Sequence, residues 1–396
     1  MPFPPSDRSA FVVRSEIRNM SLECDRVGGI NLSQGVCDTP VPEPVRRAAQ
    51  EAIDAGWNTY TAHTGISELK QQIARKLKTY SGLTVDPERE VVVSGGSTGA
   101  FYSACMALLN PGDEVILFEP YYGYHLSTLN ATGLAATFVR LEPPDWTFRM
   151  EDVTRACTSR TRAIMLCTPS NPCGKVFTGP ELEMLGQFAT ERDLIVFTDE
   201  IYEHFIYDGR HVCPATLGSL RDRTVVISGF SKTFSITGWR IGFAATNATW
   251  AEAIGYFSDL IYVCAPAPLQ MGVARGLAQL EPEFFEGLSA VYLAKRNKIC
   301  GALEAAGLTP YVPAGAYYVL CKTDGVPGST SKQKAMFLLE KAGVACVPGD
   351  SFFRDEAGKD LVRFCFAKND AVLDEACFRL EEFGVKYGCA AASCGA

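Results

Sequence analysis

Apolar residues follow two alternating patterns along most of the chain, a helical spacing and short continuous runs. The spacing predicts helices at residues 45–55, 66–80 and 98–109, and the runs predict strands at 90–94, 114–119, 135–141, 161–167, 194–199, 224–228 and 241–245. Three runs, 163–167, 194–198 and 225–227, are apolar throughout, as expected for central strands covered on both sides. The alternation predicts an α/β fold, with a mostly parallel sheet and helices on both faces.

The pattern changes near residue 281, where a long charged helical stretch at 284–306 precedes predicted strands at 316–320 and 361–366. At the other end, a Pro-rich arm leads to a short helix near 15–23 and an extended piece at 29–33. We therefore predict three segments, listed by residue number: 1–45, an N-terminal arm and part of a small domain; 46–283, a large domain; and 284–396, a small α+β domain. No boundary resembles a flexible linker, so the two domains are expected to share a cleft.

Composition and charge narrow the class of protein. The 396 residues are 47% hydrophobic and 21% charged, as in globular proteins, and the net charge of −8 gives no attraction to nucleic acid or anionic lipid. The longest apolar stretch, near 260–274, is interrupted by prolines and is too short to span a bilayer. The first residues lack the features of a secretory signal, so we expect a cytoplasmic protein that acts on small molecules, without nucleic-acid or membrane partners.

Cysteine and histidine usage gives no sign of a disulfide framework or a metal site. The 15 cysteines are odd in number, lie in apolar segments and form no CxxC pair, so free and mostly buried thiols are expected. With only four histidines, a structural zinc site has little support, and we predict no metal.

Four polar segments follow predicted strands or open a predicted helix. Lys232 lies in a Gly/Ser-rich loop after one strand, and Arg240 follows eight residues later. Asp199 ends a second strand and Asn171 follows a third, at the strand ends where open α/β sheets bind ligands. The Gly-rich turn at 94–100 opens a helix whose free N–H groups suit a phosphate.

Taken together and in their order along the chain, these segments resemble the class I/II aminotransferases of the fold-type I pyridoxal phosphate superfamily. Further matching pieces lie at residues 60–65, 110–115, 119–122 and 362–366, and the resemblance runs from about residue 31 to 366. It implies pyridoxal 5′-phosphate as cofactor in the large domain, amino acids and 2-oxo acids as substrates, and a homodimer with shared active sites.

The resemblance also implies roles around the cofactor ring. Lys232 would bind the cofactor covalently and then move a proton, which requires a lysine whose pKa falls on burial. Asp199 would pair with the pyridinium nitrogen. Tyr202 and Asn171 would reach the 3′-oxygen of the ring, and Tyr122 would stack on its face.

For the phosphate, the resemblance implies four residues of one subunit and one of the other: Gly96, Ser97, Ser231 and Arg240, with Tyr60 from the partner. Many relatives carry serine three residues before the lysine, whereas this chain has Gly229. The missing hydroxyl is either lost or replaced by Ser228 or Ser231.

For the substrate, the resemblance implies that Arg363 and Asn171 bind the α-carboxylate and that the backbone of Gly35 lies against it. We predict amino transfer from aromatic or other neutral amino acids, since Tyr60, Tyr122 and Tyr124 would form an aromatic entrance. Two alternatives stay open: an aspartate aminotransferase, whose extra cation comes from an unrecognised Lys or Arg or from protonated His63, and a carbon–sulfur β-lyase on the same fold.

Overall fold

The computed structural model describes residues 15–387, together with residues 4, 6 and 9. Most of the Pro-rich arm predicted before residue 15, and the tail after residue 387, lie outside the described residues. The helices are α1 (Glu16–Val27), α2 (Glu43–Asp54), α3 (Ser67–Lys76), α4 (Gly96–Leu108), α5 (Gly123–Thr132), α6 (Met150–Ala156), α7 (Gly179–Glu191), α8 (Ala248–Tyr262), α9 (Ala267–Gln279), α10 (Pro282–Ala305), α11 (Ser331–Ala342) and α12 (Asp370–Tyr387). The strands are β1 (Ile30–Asn31), β2 (Val91–Gly95), β3 (Glu114–Glu119), β4 (Ala135–Arg140), β5 (Thr161–Cys167), β6 (Ile195–Asp199), β7 (Thr224–Gly229), β8 (Ile241–Ala245), β9 (Thr309–Tyr311), β10 (Tyr318–Lys322), β11 (Val344–Ala345), β12 (Val347–Pro348) and β13 (Leu361–Cys365).

Seven strands form one large sheet in the order β2-β8-β7-β6-β5-β3-β4. The neighbours from β7 to β4 pair in parallel, whereas β8 is antiparallel to both β2 and β7. The connection from β7 to β8 is too short for a crossover helix, which explains the antiparallel return. The predicted mostly parallel sheet is confirmed.

Helices cover both faces of this sheet. On one face, Phe101 of α4 and Ile254 of α8 pack in the same core as Phe197 of β6. On the other face, Ile73 of α3 and Val273 of α9 pack in the same core as Phe243 of β8. Because both sides are covered, the central strands are apolar throughout, as their sequence indicated.

The C-terminal region forms a second, four-stranded antiparallel sheet in the order β12-β13-β10-β9. The N-terminal β1 pairs in parallel with β11, so the first segment of the chain joins this region. The strand predicted at 316–320 begins two residues later, at Tyr318, because Ala316 has a positive φ of 60° that a strand does not accommodate. The domain boundaries at residues 45 and 283 stay predictions.

Two expectations about the whole chain can be compared with the described residues. The 13 cysteines described are free, and 10 of them are buried, which confirms the prediction for that part of the chain. Among the described residues, we find no helix of sufficient length and apolarity to cross a membrane.

Candidate active site

A pocket lies at the edge of the large sheet where the parallel strands end. Asp199 ends β6, directly beside Cys167 at the end of β5, and the loop that carries Lys232 follows β7. The pocket contains eight of the residues predicted from the sequence: Ser97, Tyr122, Asn171, Asp199, Tyr202, Ser231, Lys232 and Arg240. Four other lining residues were missed by sequence reasoning: Thr98, Cys167, Ile201 and Thr237.

The Lys232 side chain points into this pocket. Its Nζ donates to the carbonyl oxygen of Gly35 at 3.0 Å and lies 6.0 Å and 5.8 Å from the ring centroids of Tyr202 and Tyr317. Burial lowers the pKa of this amine, because the charged form loses its hydration. Lys232 is therefore more readily available as a neutral base and nucleophile than a solvated lysine.

Asp199 is a buried carboxylate with a histidine partner. Its Oδ2 lies 2.9 Å from Nε2 of His125 in α5, and its Oδ1 accepts the backbone N–H of Ile201 at 3.3 Å. The His125 ring also meets Tyr122 edge to face, with centroids 5.1 Å apart. Sequence reasoning missed His125, since it lies 74 residues from Asp199 and no local motif marks it.

The turn between β2 and α4 forms a cradle for an anion. Gly96, the first residue of α4, has a φ of 79°, and a Cβ there would lie 2.4 Å from Nη2 of Arg240. A Cβ on Gly242 would in turn lie 2.4 Å from the carbonyl carbon of Gly96. Arg240 donates to the carbonyls of Thr237 and Gly95, at 3.0 Å and 3.3 Å. The free N–H groups that begin α4 and the guanidinium together suit a phosphate.

Ser228 and Ser231, the two candidates to replace the missing hydroxyl near Lys232, differ in their surroundings. Ser228 donates to Oε1 of Glu203 at 2.8 Å and is not among the residues that line the pocket, whereas Ser231 is. A Cβ on Gly229 would lie 2.9 Å from Cα of Gly242, so a larger residue there requires a shift of the backbone. Of the two candidate serines, only Ser231 reaches the pocket.

Arg363 is fully buried in β13. Its Nη1 donates to Oδ1 of Asn171 at 2.9 Å, and its Nη2 donates to the carbonyl of Ser33 at 2.6 Å. The Nε atom has no hydrogen-bond partner among the described residues. The ring centroid of Tyr318 lies 4.3 Å from the guanidinium carbon. Thus Arg363 and Asn171, predicted from separate segments, are in direct contact.

Gly35 and Tyr60 differ in their relation to the pocket. The carbonyl of Gly35 accepts the Lys232 amine and, at 3.3 Å, the Tyr317 hydroxyl, and a Cβ on Gly35 would lie 1.8 Å from the hydroxyl oxygen of Tyr318. Tyr60 is 80% exposed and is not among the residues that line the pocket of its own chain. A single chain therefore brings Gly35 to the site, but not Tyr60.

The donor set fits pyridoxal phosphate. The pocket offers a buried amine for covalent attachment, a buried carboxylate for a protonated ring nitrogen, and a glycine cradle with a guanidinium for the phosphate. The residues that would hold the cofactor are Lys232, Asp199, Tyr122, Asn171, Tyr202, Gly96, Ser97, Ser231 and Arg240.

Comparison with known proteins assigns the family. The family model for aminotransferase class I and II matches residues 27–380. The chain is 33% identical to an aspartate aminotransferase from Pyrococcus abyssi, over 95% of this chain and 97% of that protein. It is 31% identical to an aromatic-amino-acid aminotransferase from Thermococcus litoralis, again over 95% of this chain and 97% of that protein.

A solved structure gives the same result. N-succinyldiaminopimelate aminotransferase from Mycobacterium tuberculosis superposes with a TM-score of 0.92 at 32% identity, covering 96% of this chain and 100% of that one. These relatives are named as aminotransferases, which favours amino transfer over the carbon–sulfur lyase alternative. The chain belongs to the class I and II aminotransferases and is a pyridoxal phosphate-dependent aminotransferase of fold type I.

Proposed function

We propose that this aminotransferase takes its amino group from aromatic or other neutral L-amino acids and passes it to a 2-oxo acid such as 2-oxoglutarate or pyruvate. One observation carries the proposal: among the described residues, the cations that line the pocket are Lys232 and Arg240, and the buried Arg363 lies behind its partner Asn171, so each of the three already has a partner. A second substrate carboxylate would need a further cation, because a buried unpaired charge is very costly. Instead, the stacked rings of Tyr122 and Tyr124, 5.4 Å apart, offer an apolar surface.

The substrate α-carboxylate is assigned to Arg363, whose planar guanidinium suits two-pronged recognition. Asn171 keeps that guanidinium in place through its Oδ1, which leaves the amide N–H groups free to donate toward the cofactor. Gly35 presents backbone without a side chain beside the bound carboxylate.

Proton movement is assigned to Lys232. When bound, pyridoxal phosphate withdraws electrons so that the Cα–H bond of the amino acid can break. The Lys232 amine, whose pKa is lowered by burial, would take that proton once the substrate has displaced it and would then return it to the adjacent cofactor carbon. His125 orients the Asp199 carboxyl group, which would pair with the pyridinium nitrogen.

We also infer a homodimer with shared sites, supported by an exposed apolar surface on α8. Leu260 and Tyr256 lie one turn apart on α8 and are 81% and 57% exposed. His63, from the loop that carries Tyr60, stacks on Tyr256 with centroids 5.7 Å apart. Leu260→Glu should yield monomers in sedimentation, whereas Val385→Glu, at an exposed position on α12, should leave the mass unchanged. Equal masses for the two variants would contradict this interface.

The cytoplasmic location stays a prediction from the sequence.

The substrate preference is tested by specificity constants for phenylalanine and aspartate with one common acceptor. We expect phenylalanine to be used at least as well as aspartate. A preference for aspartate of more than about a hundredfold, or roughly 2.7 kcal/mol in transition-state binding, would contradict the proposal. The variant His63→Ala is measured in parallel. If His63 supplies a cation to a distal carboxylate, this substitution lowers the specificity constant for aspartate and leaves that for phenylalanine unchanged.

A further inference from the structure

Two buried tyrosines meet at the wall of the pocket, which Tyr202 lines. Tyr202, in the segment after β6, and Tyr318, at the start of β10, are 3% and 2% exposed, and their hydroxyl oxygens lie 2.9 Å apart. The two residues are 116 positions apart in the sequence; Tyr202 follows a strand of the large sheet, whereas Tyr318 belongs to the four-stranded sheet. Their contact therefore joins the cofactor side of the pocket to the strand that lies beside Arg363.

The geometry allows either hydroxyl to donate, and counting the partners available to each favours one arrangement, because Tyr202 lines the pocket and Tyr318 is not among its lining residues. Among the described residues, each hydroxyl has the other as its hydrogen-bond partner and no second one. If Tyr202 donated to Tyr318, the Tyr318 proton would be buried without an acceptor among the described residues, which is unfavourable. If Tyr318 donates, its proton is satisfied and the Tyr202 proton is free to point into the pocket. The second arrangement is the favourable one.

The position of the Tyr318 hydroxyl is closely determined. The Arg363 guanidinium lies 4.3 Å from the centroid of its ring, within the range of a cation–π contact. Gly35 makes room for the hydroxyl, because a Cβ there would lie 1.8 Å from the oxygen. Tyr317, the neighbouring tyrosine, sends its own hydroxyl to the Gly35 carbonyl instead. Of the neighbours Tyr317 and Tyr318, only Tyr318 is hydrogen-bonded to Tyr202 among the described residues.

We propose that Tyr318 is a positioning residue that, by donating its hydrogen bond to Tyr202, turns the Tyr202 hydroxyl toward the 3′-oxygen of the cofactor and strengthens it as a donor. This inference rests on the proposed role of Tyr202. Hydrogen bonds in a chain polarise one another, so the donor that accepts a bond becomes the stronger donor. A stronger donor to the ring oxygen favours its ionised form, which lowers the pH at which the lysine-bound cofactor loses its proton.

Other titratable groups lie close to these tyrosines and to Lys232. Tyr122 and Cys167 lie near Tyr202, while Arg363, Cys365 and Cys37 lie near Tyr318. Near Lys232 lie Cys37, Cys365, Asp199 and Arg240. Burial raises the pKa of both tyrosines, so they stay protonated as donors throughout the neutral range.

The test is the pH titration of the visible absorption of the substrate-free holoenzyme. Tyr318→Phe keeps the ring over Arg363 and removes only the hydroxyl, so we expect the midpoint to rise by about half a pH unit. Tyr202→Phe should raise it at least as much, and the double variant should match Tyr202→Phe alone, because Tyr318 acts through Tyr202. The control is Tyr207→Phe, which removes a partly buried hydroxyl that donates to the backbone of Ala316, just before β10, and should leave the midpoint unchanged.

The outcomes separate this inference from the proposed role of Tyr202. If Tyr202→Phe shifts the midpoint but Tyr318→Phe does not, the inference is wrong and the role of Tyr202 stands. Additive shifts in the double variant would mean that Tyr318 acts independently of Tyr202, which also overturns it. No shift with Tyr202→Phe would remove both claims. A shift with Tyr207→Phe equal to that of Tyr318→Phe would show general loosening of the segment and contradict a specific role.

Discussion

At the scale of single residues, the contact between Asp199 and His125 is central to the proposed chemistry. Asp199 is 5% exposed, and His125 fixes one of its oxygens. We expect Asp199→Asn to lower the single-turnover rate with phenylalanine by about a hundredfold or more, because a neutral amide cannot stabilise the positive ring nitrogen. Rapid mixing of the cofactor-loaded variant with the amino acid measures this rate.

The matched control is Asp193→Asn, which changes a fully exposed carboxylate just before β6. It should leave the single-turnover rate unchanged. If Asp199→Asn binds the cofactor and reacts as fast as the natural chain, then Asp199 is not the partner of the ring nitrogen.

At the scale of elements, the turn into α4 is shaped by Gly96. Its positive φ and the 2.4 Å approach of Arg240 leave no space for a side chain. We expect Gly96→Ala to raise the dissociation constant of the cofactor by about tenfold or more, since the displaced guanidinium and N–H groups no longer converge on the phosphate. Equilibrium dialysis measures it. Gly123→Ala, at the start of α5 with no atom within 4 Å of the added carbon, should bind normally. Equal affinities for both variants would refute the cradle.

A second contact between elements is a buried ion pair that joins α3 to the segment after β6. Lys76 of α3 lies 2.6 Å from Glu203, and both side chains are buried. Burial alone would raise the pKa of Glu203, but Lys76 and two nearby histidines outweigh it and lower the pKa to about 2. The carboxylate thus stays ionised at lower pH in the folded than in the unfolded chain. Its stabilisation is complete above the ordinary value of 4.5 and is lost as the pH falls from there toward 2.

We therefore expect Lys76→Met to lower the free energy of unfolding at pH 7 by about 3–5 kcal/mol, because the buried Glu203 carboxylate loses its ion-pair partner and keeps, among the described residues, only the hydrogen bond from Ser228. The double variant Lys76→Met/Glu203→Gln should recover part of this loss. Urea unfolding at pH 7 and at pH 3 measures both, and the deficit of the single variant should narrow at the lower pH. A single variant as stable as the natural chain, or a double variant less stable than the single one, would contradict the ion pair.

At the scale of the whole molecule, the proposed dimer can be tested by complementation. Tyr60 is exposed in its own chain and is expected to reach the site of the partner subunit. Heterodimers of Tyr60→Ala and Lys232→Ala chains should then contain one site with both changes and one with neither, so activity should partly return. If verified heterodimers remain as inactive as the Lys232→Ala homodimer, Tyr60 acts in its own subunit or has no role.

The whole molecule also shows how far sequence reasoning reaches. The central strands could be predicted because continuous apolar runs are a local signal, and Lys232, Asp199 and Asn171 could be placed at one site because they end or follow such strands. His125 and Tyr318 could not, since each gains its role from a partner that lies 74 or 116 residues away. The short strands β9 and β12, of three and two residues, carry too little pattern to be recognised.

The central claim is that Lys232 carries the cofactor in this pocket, and covalent mapping tests it most directly. The holoenzyme is reduced with borohydride and digested, and the peptides are analysed by mass spectrometry, with Lys232→Ala treated in parallel. We predict that the peptide containing Lys232 gains the mass of one reduced pyridoxal phosphate group and that the variant gains none at any lysine. Labelling of a different lysine, or equal labelling of the variant, would contradict the account.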